Sequence, residues 1–425
     1  MTEPVAPPIV KRPKGILGLL AKLGPGLVTG ASDDDPSGIA TYTQAGAQYG
    51  LATLWTALIT FPLMAAVQEM CARIGVVSSH GLTGLLKRHY PAPVLWLMVL
   101  FSFPAIILNI GADIAGMGAV SNLIFPKVSA EIFSAGFTVV LIIAIVALPY
   151  QRFAAVLKWL CAVLLVYLVV PFMCKTDWSA VARATFIPHI EFNKDFVNVL
   201  VAILGTTISP YLFFWQTTME VETVKCDHVL VDKRYIRDVG FDVDFGMFFS
   251  NIVMFFIILT AGTVLFTAGI HHIDTVQQAA EALKPLAGDG AYYLFAIGVV
   301  GTGFLAIPVL SGSLSYIIAE AFGWREGLDR KFVEAKAFYT VAILSLLIGL
   351  GINYLGISPI KALIWSAILY GVTSPVIIAI VLHISNNRKI MGKNTNGFWS
   401  NILGAGALIL MTASAGFLLY YQFKG

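Results

Sequence analysis

The chain has 425 residues, of which 58% are hydrophobic and 12% charged, more apolar surface than a soluble domain buries. Its mean hydropathy of +0.82 places it in lipid. A formal net charge of +3, with no long basic run, excludes a phosphate-tracking groove, and nucleic acid is not an expected partner.

Residues 1–22 carry Pro4, Pro7, Pro8 and Pro13 among basic residues. They lack the short apolar core and small-residue cleavage site of a secretory leader, so they read as a cytoplasmic tail ahead of a transmembrane domain at 23–425. A span needs about 20 apolar residues. Eleven such stretches follow, beginning near Leu23, Leu51, Val94, Ala130, Phe153, Val197, Phe245, Ala291, Ala337, Pro359 and Phe398. With the N-terminus inside, twenty of the 27 Lys and Arg residues fall on the inner side, a positive-inside bias that predicts N-in, C-out topology. Cys71, Cys161, Cys174 and Cys226 lie far apart without Cys-x-x-Cys spacing, which argues for packed thiols against a zinc clip or disulfide framework.

Two segments are interrupted. The first contains Gly30-Ala31-Ser32-Asp33-Asp34-Asp35-Pro36-Ser37-Gly38, and the sixth contains Gly205-Thr206-Thr207-Ile208-Ser209-Pro210. Breaks at matching positions of two halves point to an inverted-repeat carrier: a 5+5 arrangement with repeats at about 23–175 and 195–384, and an eleventh helix at about 397–421. No residue-level similarity between the halves supports this beyond the breaks themselves.

Three aspartates within a span cost roughly 2.5–3.5 kcal/mol each on insertion scales, so they need water or a cation. Pro36 lacks an amide hydrogen and clashes with the preceding turn, so the helix is expected to stop near Asp33 and restart after Pro36. Pro210 is expected to free the carbonyls around Gly205 and Thr206 in the same way. The alternative, a shorter helix ending in a loop, is opposed by the apolar residues continuing to Ala52. For the sixth segment an ordinary proline kink is the alternative, and the paired break in the other half decides against it. Carboxylates, hydroxyls and helix-end carbonyls are hard oxygen donors suited to Mg²⁺, Ca²⁺ or Mn²⁺. A roomy site with few direct ligands suits Mg²⁺, which keeps several waters.

The residues Gly24-Pro25-Gly26, Asp35-Pro36-Ser37-Gly38, Gly46, Leu54-Trp55, Ala72-Arg73-Ile74-Gly75-Val76-Val77 and the proline of segment six resemble the Nramp family of divalent-metal transporters. The resemblance implies a LeuT-like, all-α membrane fold in which helices 1 and 6 are broken. It also implies a metal held by Asp35 and by a backbone carbonyl at Thr206. The departures matter. Gly38 stands where members carry a ligating asparagine, and Ser209-Pro210-Tyr211 stands in place of Met-Pro-His. Phe103-Pro104-Ala105-Ile106-Ile107-Leu108-Asn109-Ile110 offers no clear counterpart of the family's acidic proton path, Asp113 being the nearest carboxylate. Similar changes mark the Nramp-related magnesium transporters, a branch thought to carry a hydrated ion without coupled protons.

The expected site is therefore Asp35, Thr206, Ser209, Gly38 and Asp34, with Asp33 in support. The expected activity is Mg²⁺ transport, with Mn²⁺ also carried, by alternating access in a prokaryotic inner membrane, the chain working as a monomer. The metal is substrate, no cofactor is expected, and no enzyme motif such as His-Glu-x-x-His occurs. A proton-coupled Mn²⁺/Fe²⁺ symporter is the nearest alternative, and a small organic solute carrier the next. Thr41, Tyr42, Gln44, Tyr211 and Gln216 flank the breaks, with helix packing or interhelical hydrogen bonding as their default role. Glu69 and Arg73, four apart, predict a helical salt bridge. Glu220 and Glu222 offer an acidic exit, but nearby Lys225, Lys233 and Arg234 favour a solvated inner loop for them, and His271 and His272 are expected in an outer one.

Overall fold

The computed structural model describes residues 24–148, 162–226 and 231–424. The expected tail lies outside these residues, as does the beginning of the span expected from Phe153. The described residues form helices joined by loops, with no strand among them.

In chain order the elements are α1 (Pro25–Asp33), α2 (Pro36–Tyr49), α3 (Trp55–Ser78), α4 (Leu82–His89), α5 (Ala92–Ile124) and α6 (Ala130–Ala147). They continue with α7 (Val166–Met173), α8 (Trp178–Phe186), α9 (Lys194–Thr207), α10 (Pro210–Cys226) and α11 (Lys233–Ala261). The last four are α12 (Ala291–Phe322), α13 (Lys336–Ile352), α14 (Pro359–Asn386) and α15 (Phe398–Lys424). Among the described residues nine helical stretches are long and apolar enough to cross a membrane, α9 and α10 together forming one of them. The chain is a multi-pass membrane protein. The pair α1–α2 falls outside those nine, its apolar run being cut by the three aspartates.

Exposed apolar side chains such as Leu100, Ile132, Ile143, Leu347 and Ile409 form the outer face. Inside, one apolar cluster includes Phe213 and Phe214 of α10, and a second includes Ile39 and Tyr42 of α2. These packed layers flank the polar breaks and close them off from solvent.

Small residues let the helices at the breaks approach one another. α1 lies against α11 so closely that a Cβ on Gly30 would sit 2.2 Å from the carbonyl oxygen of Gly246. A Cβ on Gly205 of α9 would sit 2.1 Å from the carbonyl oxygen of Ala367 in α14. α11 also packs on α2 and α3, and α10 on α3. α5 packs on α6, α12, α13 and α14. Cys71 and Cys174 are free thiols.

Candidate metal-ion site at the two helix breaks

The first break falls where Pro36 predicts it. α1 stops at Asp33, and Asp34 leaves the helical region with φ −84° and ψ 53°. Asp35, extended at φ −71° and ψ 173°, is the N-cap of α2, its Oδ1 accepting the Gly38 amide at 2.7 Å. Asn109 of α5 donates Nδ2 to Asp35 Oδ2 at 2.9 Å. Ser366 of α14 donates its hydroxyl to Asn109 Oδ1 at 2.8 Å, and Ser37 donates to the Leu363 carbonyl at 2.8 Å. Asp35 is thus aimed by α2, α5 and α14 together.

Asp33 and Asp34 share one donor. Ser250 of α11 lies 2.8 Å from Asp33 Oδ2 and 3.4 Å from Asp34 Oδ1. The other oxygens, Asp33 Oδ1 and Asp34 Oδ2, are buried without a hydrogen-bond donor. Burying ionised carboxylates without partners is costly, so this segment attracts positive charge.

The second break is built from hydroxyls and carbonyls. α9 ends at Thr207 and α10 begins at Pro210, as the proline dictates. The Ser209 hydroxyl turns back to the carbonyl of Thr206 at 2.6 Å and that of Gly205 at 3.2 Å. Ser374 donates to the Ile208 carbonyl at 3.0 Å. The carbonyls that Pro210 releases are therefore held by side-chain hydroxyls, each keeping one lone pair.

The two breaks meet. Tyr211 donates its hydroxyl to the Ser32 carbonyl at 2.9 Å, and Tyr42 and Thr207 share a hydrogen bond of 3.2 Å. A Cβ on Gly38 would lie 3.3 Å from the Asp33 carbonyl oxygen and 3.4 Å from Thr206 Oγ1. Gly38 and Thr206 are thus neighbours across the breaks, with Asp35 bonded to Gly38 and Ser209 to Thr206. Asp34, Asp35, Gly38, Thr206 and Ser209 are all buried. The expectation of a roomy site needs correction: in this conformation the hydroxyls of Tyr211 and Tyr42 draw the breaks together. Among the described residues no group of three or more His, Cys, Asp and Glu side chains is arranged to hold a metal. Any ion here would complete its shell with carbonyls, hydroxyls and water.

Other expected residues divide clearly. Glu220 and Glu222 do not lie in a solvated loop: α10 runs on through both, Glu220 is buried, and Gln216 donates to it at 2.8 Å. The helix carries on because nothing between Pro210 and Lys225 breaks it, whereas charge alone suggested a loop. Gln216 accepts the Thr29 hydroxyl of α1, the interhelical bond expected of it. Gln44 donates to the His271 carbonyl at 3.4 Å and accepts the Ile273 amide at 2.9 Å, and Glu69 pairs with Arg73 at 3.2 Å. Asp113 is fully buried one turn beyond Asn109, and its oxygens take no well-formed hydrogen bond.

Sequence reasoning missed Asn109, Ser250, Ser366 and Asp242. Asn109 had a signal, since it shares a helix face with Asp113 at i, i+4 spacing. Asp242 of α11 had none: it caps α1 from 216 positions away, accepting the amides of Gly24, Gly26 and Leu27 at 2.9, 2.7 and 3.2 Å.

Two facing helix breaks lined with oxygen atoms, inside a helical membrane bundle, define a carrier-type membrane protein. A family model described as Natural resistance-associated macrophage protein-like (Nramp) matches residues 26–421, and the chain belongs to the Nramp family. It is 24% identical over 409 residues to "Divalent metal cation transporter MntH" of Caldanaerobacter subterraneus subsp. tengcongensis, covering 96% of this chain and 94% of the relative. A crystal structure of the Eremococcus coleocola manganese transporter, in complex with an aromatic bis-isothiourea substituted compound, superposes with a TM-score of 0.75. The identity there is 17%, over 96% of this chain and 88% of that one. The structure of MhsT in complex with L-phenylalanine gives a TM-score of 0.61 at 13% identity, over 92% and 98%. These likenesses show the fold, which is LeuT-like.

Proposed function

We propose that the chain is a divalent metal cation transporter that carries a hard, partly hydrated ion, Mg²⁺ in preference to Mn²⁺. It works by alternating access and without obligatory proton coupling. The observation that carries this reading is the donor set at the breaks. Carboxylates come from one side and backbone carbonyls and hydroxyls from the other, with Ser209 where the family resemblance calls for a thioether. Oxygen donors favour Mg²⁺ and disfavour softer transition metals. Asp35 carries the charge of the site, Asp34 and Asp33 add to its field, Thr206 supplies a carbonyl, and Gly38 and Ser209 leave room for water once the breaks part.

The chain then divides into halves at about 23–175 and 195–384 with a helix at about 397–421, and the α4 end faces the cytoplasm. A bundle of α1–α3 and α9–α11 rocks against the rest. The packing of α11 on α1, α2 and α3, and of α10 on α3, supports such a unit. It functions as a monomer in a prokaryotic plasma membrane.

A second reading, a proton-coupled Mn²⁺ carrier, is favoured by the manganese transport for which the Eremococcus coleocola protein is named and by buried Asp113. Flux of Mg²⁺, Mn²⁺ and Ca²⁺ into liposomes, with a pH dye inside, separates the two. Mn²⁺ uptake without Mg²⁺ uptake, or acidification in step with Mg²⁺, sinks the first reading. The organic-solute alternative has only fold likeness behind it, and the aspartates would repel a substrate anion.

A further inference from the structure

α14 and α15 are both long and apolar enough to cross the membrane, so the link between them, residues 387–397, lies at one membrane surface. Where α14 ends, His383, Asn386, Asn387, Arg388 and Lys389 line a hollow of about 510 Å³. Its charge has one sign. Residues 335–425 hold no Asp or Glu, and Lys393 adds a further exposed cation in the link. Among the described residues Arg388, Lys389 and Lys393 pair with no carboxylate. Tyr90, just beyond α4, shares a hydrogen bond of 2.6 Å with His383 Nδ1 and fixes that ring at the edge of the hollow.

The hollow is held in shape by side-chain amides. Asn386 and Asn401 exchange hydrogen bonds of 2.8 and 3.1 Å, and Asn396 donates Nδ2 to Asn401 Oδ1 at 2.9 Å. The Asn396 backbone amide donates to the Ser385 carbonyl at 3.1 Å, and Asn387 Oδ1 accepts the Lys389 amide at 3.0 Å. From α3, Arg73 donates to Asn396 Oδ1 at 2.6 Å and pairs with Glu69, so that carboxylate is already matched. Two aromatic rings follow the cations. Phe398 and Trp399 open α15 at 72% and 71% exposure, their centroids 5.5 Å apart. Tryptophan at the end of a membrane helix sits at headgroup depth.

We propose that this hollow binds an anionic phospholipid, its phosphate held by Arg388, Lys389 and His383 and its acyl chains lying along α15 below Phe398 and Trp399. Arginine and lysine are the side chains that hold phosphate oxygens. Basic pockets at the cytoplasmic ends of membrane helices take such headgroups, and the positive-inside bias assigns this link to that side. The exposed ring pair decides for a lipid over a soluble anion, which makes no use of apolar surface. A zwitterionic lipid brings its own cation into a hollow that offers no carboxylate to receive it. The site is independent of which ion the breaks carry.

The test is native mass spectrometry of the purified full chain, released from detergent micelles that hold phosphatidylglycerol and phosphatidylcholine in equal amounts. Wild type is expected to retain one phosphatidylglycerol, favoured about fivefold or more over phosphatidylcholine. Arg388→Gln with Lys389→Gln is expected to bring that preference below about twofold. Both side chains are exposed; should the pair misfold on gel filtration, Lys389→Glu alone is expected to do the same. Lys233→Gln with Arg234→Gln, which removes two exposed cations at the start of α11, is expected to keep the wild-type preference. An unchanged preference in a folded hollow variant overturns the proposal. So does an equal loss in the α11 variant, since any surface charge then suffices. Displacement of the lipid by millimolar inorganic phosphate would assign the hollow to a soluble anion, and a dimer split only by the hollow variants would assign it to a second copy of the chain; either result overturns the lipid site.

Discussion

The two helix breaks solve one problem with different atoms. At the first, Pro36 interrupts a chain carrying three carboxylates, and two of their oxygens stay buried without donors. At the second, Pro210 interrupts a stretch, 196–219, that holds no charged residue, and Ser209 immediately satisfies the carbonyls that the proline frees. The first break supplies field and the second supplies dipoles. Charge acts over distance and tolerates waters between itself and the ion, whereas a dipole needs contact. The ion's affinity should therefore follow the first break and its identity the second.

That division can be broken by substitution. Asp35→Ala and Asp35→Asn are both expected to lower Mg²⁺ affinity in liposome flux by about ten- to hundred-fold, the roughly 1.5–3 kcal/mol of a charge-assisted contact. Asparagine keeps the N-cap, whose loss costs about 1 kcal/mol, so a mild Asp35→Asn phenotype would show that the cap matters and the charge does not. Asn109→Leu removes the donor that aims Asp35 Oδ2. It should weaken Mg²⁺ about tenfold while maximal flux stays near wild type, the loss of about 1.4 kcal/mol in orientation. Ser209→Met brings a soft ligand to the second break and should raise the Mn²⁺:Mg²⁺ flux ratio by roughly fivefold, about 1 kcal/mol. An unchanged ratio would mean that the second break does not set identity. The smallest effect belongs to Ser209→Ala, within about threefold for either ion, because it removes a neutral hydrogen bond worth about 0.5 kcal/mol net.

Both breaks were legible because proline chemistry is local: the missing amide at Pro36 and Pro210 places each helix end within a residue or two. Nine of the eleven expected spans were legible, because apolar run length is a direct response to lipid. What connects the breaks was not. Asn109 reaches Asp35 across 74 positions, Ser250 reaches Asp33 across 217 and Tyr211 reaches Ser32 across 179. Sequence spacing carries no record of such pairings. The glutamates of α10 were misread for a related reason, since their charge suggested solvent while their helix carried them to Gln216 and Tyr316.

The crossing of α1 on α11 has a further consequence, for how the sequence can drift. A Cβ on Gly30 would meet the Gly246 carbonyl oxygen, and a Cβ on Gly246 would meet the Gly26 carbonyl oxygen, each at 2.2 Å. Backbone faces backbone there, so no trimming of a nearby side chain makes room. A replacement at any of the three has no second-site suppressor within the crossing itself. Drift in this chain is therefore free in the lipid-facing positions and closed where backbone faces backbone, as at these three glycines, which take no part in binding an ion.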